Sequence, residues 1–208
     1  MLPKEMEIFL KDFDSLSCRE SSGAHFLSNK IGVSVKSVFD PVFLLPKKKW
    51  ETVLNVRPQK GEYVFVYDLN GKDNLLELAL NNCKGKHVVV YSNDLMFQIR
   101  YKKNSCITFV KCLSVFDYLT YIYFADHVFT DSFHGTAFSI IFEKQFNTYV
   151  ALKNASARLY SVLDSLNLRS RIADSNTIDD SKIDYAYVSK KLEESTSASR
   201  NFLKENDL

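Results

Sequence analysis

No run in this chain approaches the roughly 18 continuous apolar residues that a membrane span requires, and Met1-Leu2-Pro3-Lys4-Glu5 lacks the apolar core of a signal peptide. The expectation is a cytoplasmic protein without a membrane span. The four cysteines, Cys18, Cys83, Cys106 and Cys112, contain no CxxC pair and sit in or beside apolar runs. They predict reduced, partly buried thiols and no bound metal. Neither sign of charge dominates: the formal charge is +2, so nothing in the total steers the chain toward nucleic acid or a strongly anionic membrane. Internal repeats and low-complexity tracts are also missing. What remains is 208 residues, 46% hydrophobic and 25% charged, an ordinary globular composition with enough apolar material for a real core.

The first part of the chain reads as short, mixed elements. Met6, Phe9, Leu10 and Phe13 have helical spacing, Ser15 to Arg19 is strand-like, and Ala24 to Lys30 is a second helix closed by Gly32. Val33 to Val38 is extended up to Asp40-Pro41, and a helix from Pro46 carries Trp50, Val53 and Leu54 inward. Arg57 to Glu62 is polar, with Pro and Gly, and divides the chain into a connecting region, 1–60, and a main domain, 61–208. From Tyr63 the pattern alternates. Strands at 63–67, 87–91, 107–110, 127–130 and 146–150 are separated by helices at 74–82, 114–124 and 132–142, with further helices at 157–166 and 185–204. Uniformly apolar strands alternating with helices predict an α/β fold, a Rossmann-like doubly wound and mostly parallel sheet, with ligands at the carboxyl ends of its strands.

One stretch at such an end carries most of the chemistry: Thr130-Asp131-Ser132-Phe133-His134-Gly135-Thr136, which reads as strand, tight turn and helix. Ser132 suits the N-cap position, and the helix start behind it supplies N–H groups and about half a positive charge, so the amides of Ser132 to Thr136 are a candidate anion site. Gly135 is read as letting a ligand approach the backbone. Asp131 either bonds turn amides or orients His134. Ser132 lacks the Gly-x-Ser-x-Gly elbow of a serine hydrolase, so that chemistry is set aside.

This heptad and the following Ala137-Phe138-Ser139-Ile140-Ile141-Phe142-Glu143-Lys144-Gln145-Phe146 resemble the signature of the polysaccharide pyruvyl transferases. Leu16 to Gly23, Asp40 to Leu45 with Trp50, and Tyr118-Leu119 before Ala125-Asp126 resemble further landmarks of that family, in order, from about Phe13 to Leu168. The resemblance implies the C-terminal lobe of a GT-B-like enzyme. Such an enzyme moves the enolpyruvyl group of phosphoenolpyruvate to a sugar hydroxyl and closes a pyruvate ketal in cell-surface polysaccharide biosynthesis. Phosphoenolpyruvate is then a donor substrate, a saccharide the acceptor, and no cofactor is needed. By the same resemblance Arg19 and Arg158 are anion-binding residues and His134 the active-site histidine. A guanidinium offers a fork to carboxylate or phosphate, and an imidazole with an ordinary pKa of about 6.5 carries a proton well.

Each residue also has a plainer reading. Arg19 has Glu20 and Asp40 as ion-pair partners, Arg158 suits a solvated helix face, and His25, His87 and His127 read as structural. Members of the family carry a first lobe ahead of the matched region, and this chain is expected to hold almost none of it. Three functions therefore compete: a pyruvyl transferase lobe, a GT-B lobe using a nucleotide-sugar donor, and a non-catalytic lobe that binds a separate polypeptide supplying the missing half.

Overall fold

A computed structural model describes residues 3–58, 61–70, 73–82, 85–112, 114–150, 157–173 and 177–206. Cys83, the centre of the 57–62 linker and the start of the polar 174–181 segment lie outside the described residues. The chain divides into two compact units, Leu45–Lys153 with Leu168–Tyr185, and Met1–Leu44 with Asn154–Asn167 and Ala186–Leu208. The division therefore falls near Leu44 rather than near residue 60, and all but the first residue of the terminal helix goes with the amino-terminal unit.

The larger unit is built on a six-stranded parallel sheet. Its strands are β3 (Tyr63–Asp68), β4 (His87–Ser92), β5 (Ile107–Phe109), β6 (His127–Thr130), β7 (Gln145–Tyr149) and β8 (Ile172–Ala173), in the order β5-β4-β3-β6-β7-β8. This is the doubly wound order: the chain steps outward from β3 in one direction and then returns to its other side. Every pair is parallel, with Val64 opposite both Val88 and His127. Alternation along β3 distributes two kinds of core. Val64 and Val66 join Leu75, Leu76 and Ala79 of α4 (Asp73–Asn82) and Phe97 of α5 (Leu95–Tyr101) on one face. The intervening residues face α6 (Val115–Phe124) and α7 (Phe133–Ile141) with aromatic rings. Phe65 stacks on Tyr121 at 5.3 Å, Tyr67 on Tyr118 at 5.0 Å, and Phe138 meets Trp50 edge-on at 4.9 Å. Burial of these side chains, worth about 1.5–3 kcal/mol each, fixes which residues of each strand face which helices.

The smaller unit pairs β1 (Leu16–Cys18) with β2 (Val35–Ser37) in parallel, joined by α2 (Ser21–Ile31). Gly32 ends α2 in the left-handed conformation, φ 70°, and its N–H closes on the Ser28 carbonyl, as the sequence predicts. Ala24, Ile31 and Val35 form its small core, with Leu10 of α1 (Lys4–Lys11) against it. The terminal helix α9 (Tyr185–Glu205) ties in through Ser199, whose buried hydroxyl accepts the Phe39 N–H at 2.9 Å.

Several local expectations are corrected. Met6, Phe9 and Phe13, three of the residues at helical spacing, are 50%, 67% and 60% exposed, and α1 ends at Lys11, before Phe13. The helix from Pro46 (α3, Lys47–Glu51) is one short piece, and Val53 beyond it is partly exposed. Among the described cysteines all three are free, and Cys106 is exposed rather than partly buried. Helix α5 was not anticipated, because its aliphatic residues point outward and leave only Phe97 buried within it. Strand β8 is two residues long, too short for a period, and is anchored instead by the buried Arg171, which donates to the carbonyls of Asp179 and Ser181 at 2.7 and 2.6 Å.

His127, at the start of β6, is structural as expected. Asn147 donates through Nδ2 to the Asp179 carbonyl, so its Oδ1 accepts from His127 Nε2–H at 2.8 Å. Burial, reinforced by Arg171 and Lys86, lowers the His127 pKa against the opposing pull of the Asn147 bond and Asp180. A base held below its ordinary value contributes stability that is complete above about pH 6.5 and is lost as pH falls toward its folded value. Urea unfolding from about pH 8 to about pH 5 is expected to show this loss, and His127→Gln, which keeps the donor without the titration, to have a flatter profile.

Candidate active site

The predicted heptad lies at the carboxyl end of β6, beside the carboxyl end of β3, where the strand order reverses. In a sheet of this order the reversal opens a crevice between two diverging loops. Here the loops are tied together. Thr130, fully buried, donates its hydroxyl to the Tyr67 carbonyl at 2.9 Å and accepts the Ser132 N–H at 3.0 Å. Asp131 reaches across to the loop after β3, where its two oxygens accept from Leu69 N–H at 2.9 Å, Asn70 N–H at 3.0 Å and the Asn70 amide at 2.5 Å. Of its two sequence readings, the bonding of backbone amides is observed, but the amides belong to a turn some sixty residues earlier in the chain.

The network continues along the sheet edge. Asp68, 1% exposed, accepts the Asn70 N–H and the Ser92 hydroxyl, and Ser92 accepts the Asp94 N–H in turn. Neither Asp68 nor Ser92 had been assigned a definite role from sequence; alternation alone marks both as buried polar groups at strand ends. Burial, with Tyr91, Cys112 and Asp131 around it, pushes the Tyr67 phenol up to about 12, so it stays a neutral donor at the junction.

Helix α7 starts as predicted. Ser132 is its N-cap, and the hydroxyl accepts the Gly135 N–H at 3.3 Å. Thr136 is fully buried and spends its hydroxyl on the Ser132 carbonyl at 3.1 Å. Ser132 and Thr136 side chains thus hold the turn, and the N–H groups of Ser132, Gly135 and Thr136 are themselves bonded within it, to the Thr130 hydroxyl, the Ser132 hydroxyl and the Ser132 carbonyl, so the expected row of open amides from Ser132 to Thr136 is corrected. Gly135 has a different reason from the one read in the sequence. A Cβ there would meet the Thr130 hydroxyl at 2.4 Å, so the glycine lets the first turn of α7 press against β6. His134 is exposed and Phe133 half-buried, their rings edge-on at 5.3 Å, while Gly135 to Ile141 are all buried. The turn therefore presents an imidazole from a rigid base.

The two predicted arginines meet in the smaller unit. Arg19 follows β1 and binds Asp40 at 2.6 Å; Arg158, on α8 (Ala157–Ser165), comes within 3.9 Å of the same carboxylate oxygen. Asp40 is 3% exposed and also accepts the Val42 N–H, whereas 48% of the Arg19 side chain faces solvent. Two guanidinium groups around one carboxylate leave a net positive charge, the arrangement an anion needs. Among the described residues no cluster of His, Cys, Asp and Glu has the makings of a metal site.

A family model described as polysaccharide pyruvyl transferase matches residues 2–149. The chain belongs to this family. The match includes Arg19, Asp40 and the whole heptad, and stops short of Arg158. No curated protein matches the chain significantly. Among solved structures, the crystal structure of Methanocaldococcus jannaschii UDP-GlcNAc 2-epimerase in complex with UDP-GlcNAc and UDP is similar, with a TM-score of 0.55 at 10% identity. The similarity covers 88% of this chain and 54% of that one, so the chain spans about half the length of that GT-B-like neighbour. At that identity the likeness is one of fold.

The close approach at Gly135 generates a stability prediction. Gly135→Ala forces the added methyl against Thr130 and is expected to cost about 1–3 kcal/mol, the usual range for overpacking, read as a lowered midpoint in urea unfolding at unchanged slope.

Proposed function

We propose that this chain supplies the phosphoenolpyruvate-binding lobe of a polysaccharide pyruvyl transferase acting on a saccharide acceptor. The observation that carries the reading is the exposed His134 on a turn that Asp131 and Thr130 fix at the reversal point of the sheet, within the residues that match the family. In this reading one sugar hydroxyl adds to C2 of phosphoenolpyruvate while C3 takes a proton from His134, phosphate leaves C2, and a second hydroxyl closes the ketal. Of the two hydroxyl protons, one ends on the new methyl group and one on phosphate. The dipole at the start of α7 favours an anionic group, and Arg19 and Arg158 are offered as anion-binding residues. The acceptor is held by the first lobe, since positioning two reactants contributes several kcal/mol to such a step.

The same fold serves a nucleotide-sugar donor equally well, and its epimerase neighbour was crystallised with UDP-GlcNAc. The reading as a binding lobe is favoured by a separate observation. The smaller unit holds two described strands, below what an independent sheet needs, and carries exposed Ile8, Phe9, Phe13 and Phe26. That surface fits a polypeptide segment completing the first lobe.

Calorimetric titration separates the donors: saturable binding of phosphoenolpyruvate, weakened by Arg19→Ala, with none for UDP-GlcNAc, is expected. With a first lobe and an acceptor oligosaccharide added, His134→Ala is expected to lose on the order of 10²–10⁴-fold in turnover with donor affinity nearly kept, and His134→Gln to recover little. Pyruvylation that survives His134→Ala would assign the acid elsewhere. Donor binding without any turnover would favour the binding lobe.

A further inference from the structure

Helix α5 is packed the reverse of an ordinary surface helix. Its inward side is aromatic: Phe97 is 1% exposed and meets Tyr101 at 5.1 Å and Phe109 at 6.0 Å. Its outward side is aliphatic, with Leu95, Met96 and Ile99 exposed by 72%, 66% and 64%. On a helix, positions 95, 99 and 102, and likewise 96, 99 and 103, fall on one face, and Lys102 keeps the helical conformation at the C-cap. The aliphatic stripe therefore runs directly into Lys102 and Lys103, both exposed.

The surrounding chain is mostly basic. Between Asp94, whose carboxylate caps α5, and Asp117, in the first turn of α6, lie four cations, Arg100, Lys102, Lys103 and Lys111, and no acidic residue. Beyond β5, an edge strand, Val115 and Phe116 are again exposed. We infer that the outward face of α5 docks this protein on an anionic lipid bilayer, the aliphatic stripe entering the headgroup boundary and the lysines meeting lipid phosphates.

Charge and shape select this occupant over others. A second copy of the chain in a two-fold interface would bring the same cations against each other. Nucleic acid would satisfy the lysines but gain little from Leu, Met and Ile, which cannot stack on bases. A bilayer rewards both halves: apolar side chains leave water, while lysine stems lie along the apolar surface and keep their ammonium groups among phosphates. The inference stands apart from the proposed enzymology and uses none of its residues.

The test is co-sedimentation of the full chain with vesicles of equal parts phosphatidylcholine and phosphatidylglycerol, and with vesicles of phosphatidylcholine alone. Binding to the mixed vesicles, lost on pure phosphatidylcholine and weakened by salt, is expected. Lys102→Gln with Lys103→Gln is expected to lower partitioning about 30-fold, the effect of two surface cations, with the circular dichroism and unfolding midpoint unchanged. Leu95→Ser with Met96→Ser should lower it too, whereas Phe9→Ser with Phe13→Ser, on the other exposed apolar face, should not. Equal binding to both vesicle types, no binding, indifference to the lysine pair, or loss in the Phe9/Phe13 variant instead would each overturn the inference; the last would leave α5 as a face for protein or for nothing.

Discussion

Asp131 is the constraint on which the site depends. In a doubly wound sheet the two central strands part company at their carboxyl ends, and nothing in the ladder itself holds the following loops together. One carboxylate accepts three N–H donors from the loop after β3 while its own backbone continues into α7. Bonds to a charged acceptor of this kind are worth roughly 1–3 kcal/mol, enough to hold a loop that has little core of its own. Thr130 adds a second tie from the neighbouring position, and Gly135 brings the helix within contact of it. His134 is thus exposed without being loose: the residues on its C-terminal side are buried, and those on its N-terminal side are stitched to β3.

The same accounting separates the roles of acid and base at the two predicted anion-binding regions. Asp68 and Asp131 at the sheet edge have donors already directed at them, so their charges are spent on loop geometry rather than on a ligand. Around Asp40 the balance is reversed. The carboxylate is buried and Arg19 is half-exposed, so Asp40 depends on the guanidinium for its charge while much of the guanidinium side chain still faces solvent. What Asp40 does accomplish is orientation, because it fixes one edge of a guanidinium and leaves the rest facing outward.

Much of the fold was legible because its strands are apolar on both faces. Tyr63 to Tyr67, His87 to Tyr91 and His127 to Phe129 read as buried strands without any partner being known, and a parallel sheet followed from their alternation with helices. Ser132 was legible as a cap because capping is local, acting over three residues. The role of Gly135 was not: a missing side chain looks the same in sequence whether a ligand or Thr130 occupies the space. Nor was the reach of Asp131 to residues 69 and 70, which depends on strand order and not on any neighbour in the chain. Helix α5 escaped for a related reason, since amphipathic periodicity assumes that the aliphatic side is the inner one.

Helices α1 and α5 show why whole-chain charge says little about surfaces. Both turn apolar side chains outward, yet around those of α1 Glu5, Glu7, Asp12 and Asp14 outnumber Lys4 and Lys11, while around α5 Arg100, Lys102 and Lys103 outnumber Asp94. The two local balances have opposite signs, and a total of +2 describes neither. An acidic apolar face is repelled by anionic lipid and is suited to burial against polypeptide, where a two-stranded sheet lacks further strands. A basic apolar face has the opposite preference. The partners of this protein are therefore set by which charges stand beside each exposed apolar stripe, a property fixed over one or two helical turns and averaged away over the length of the chain.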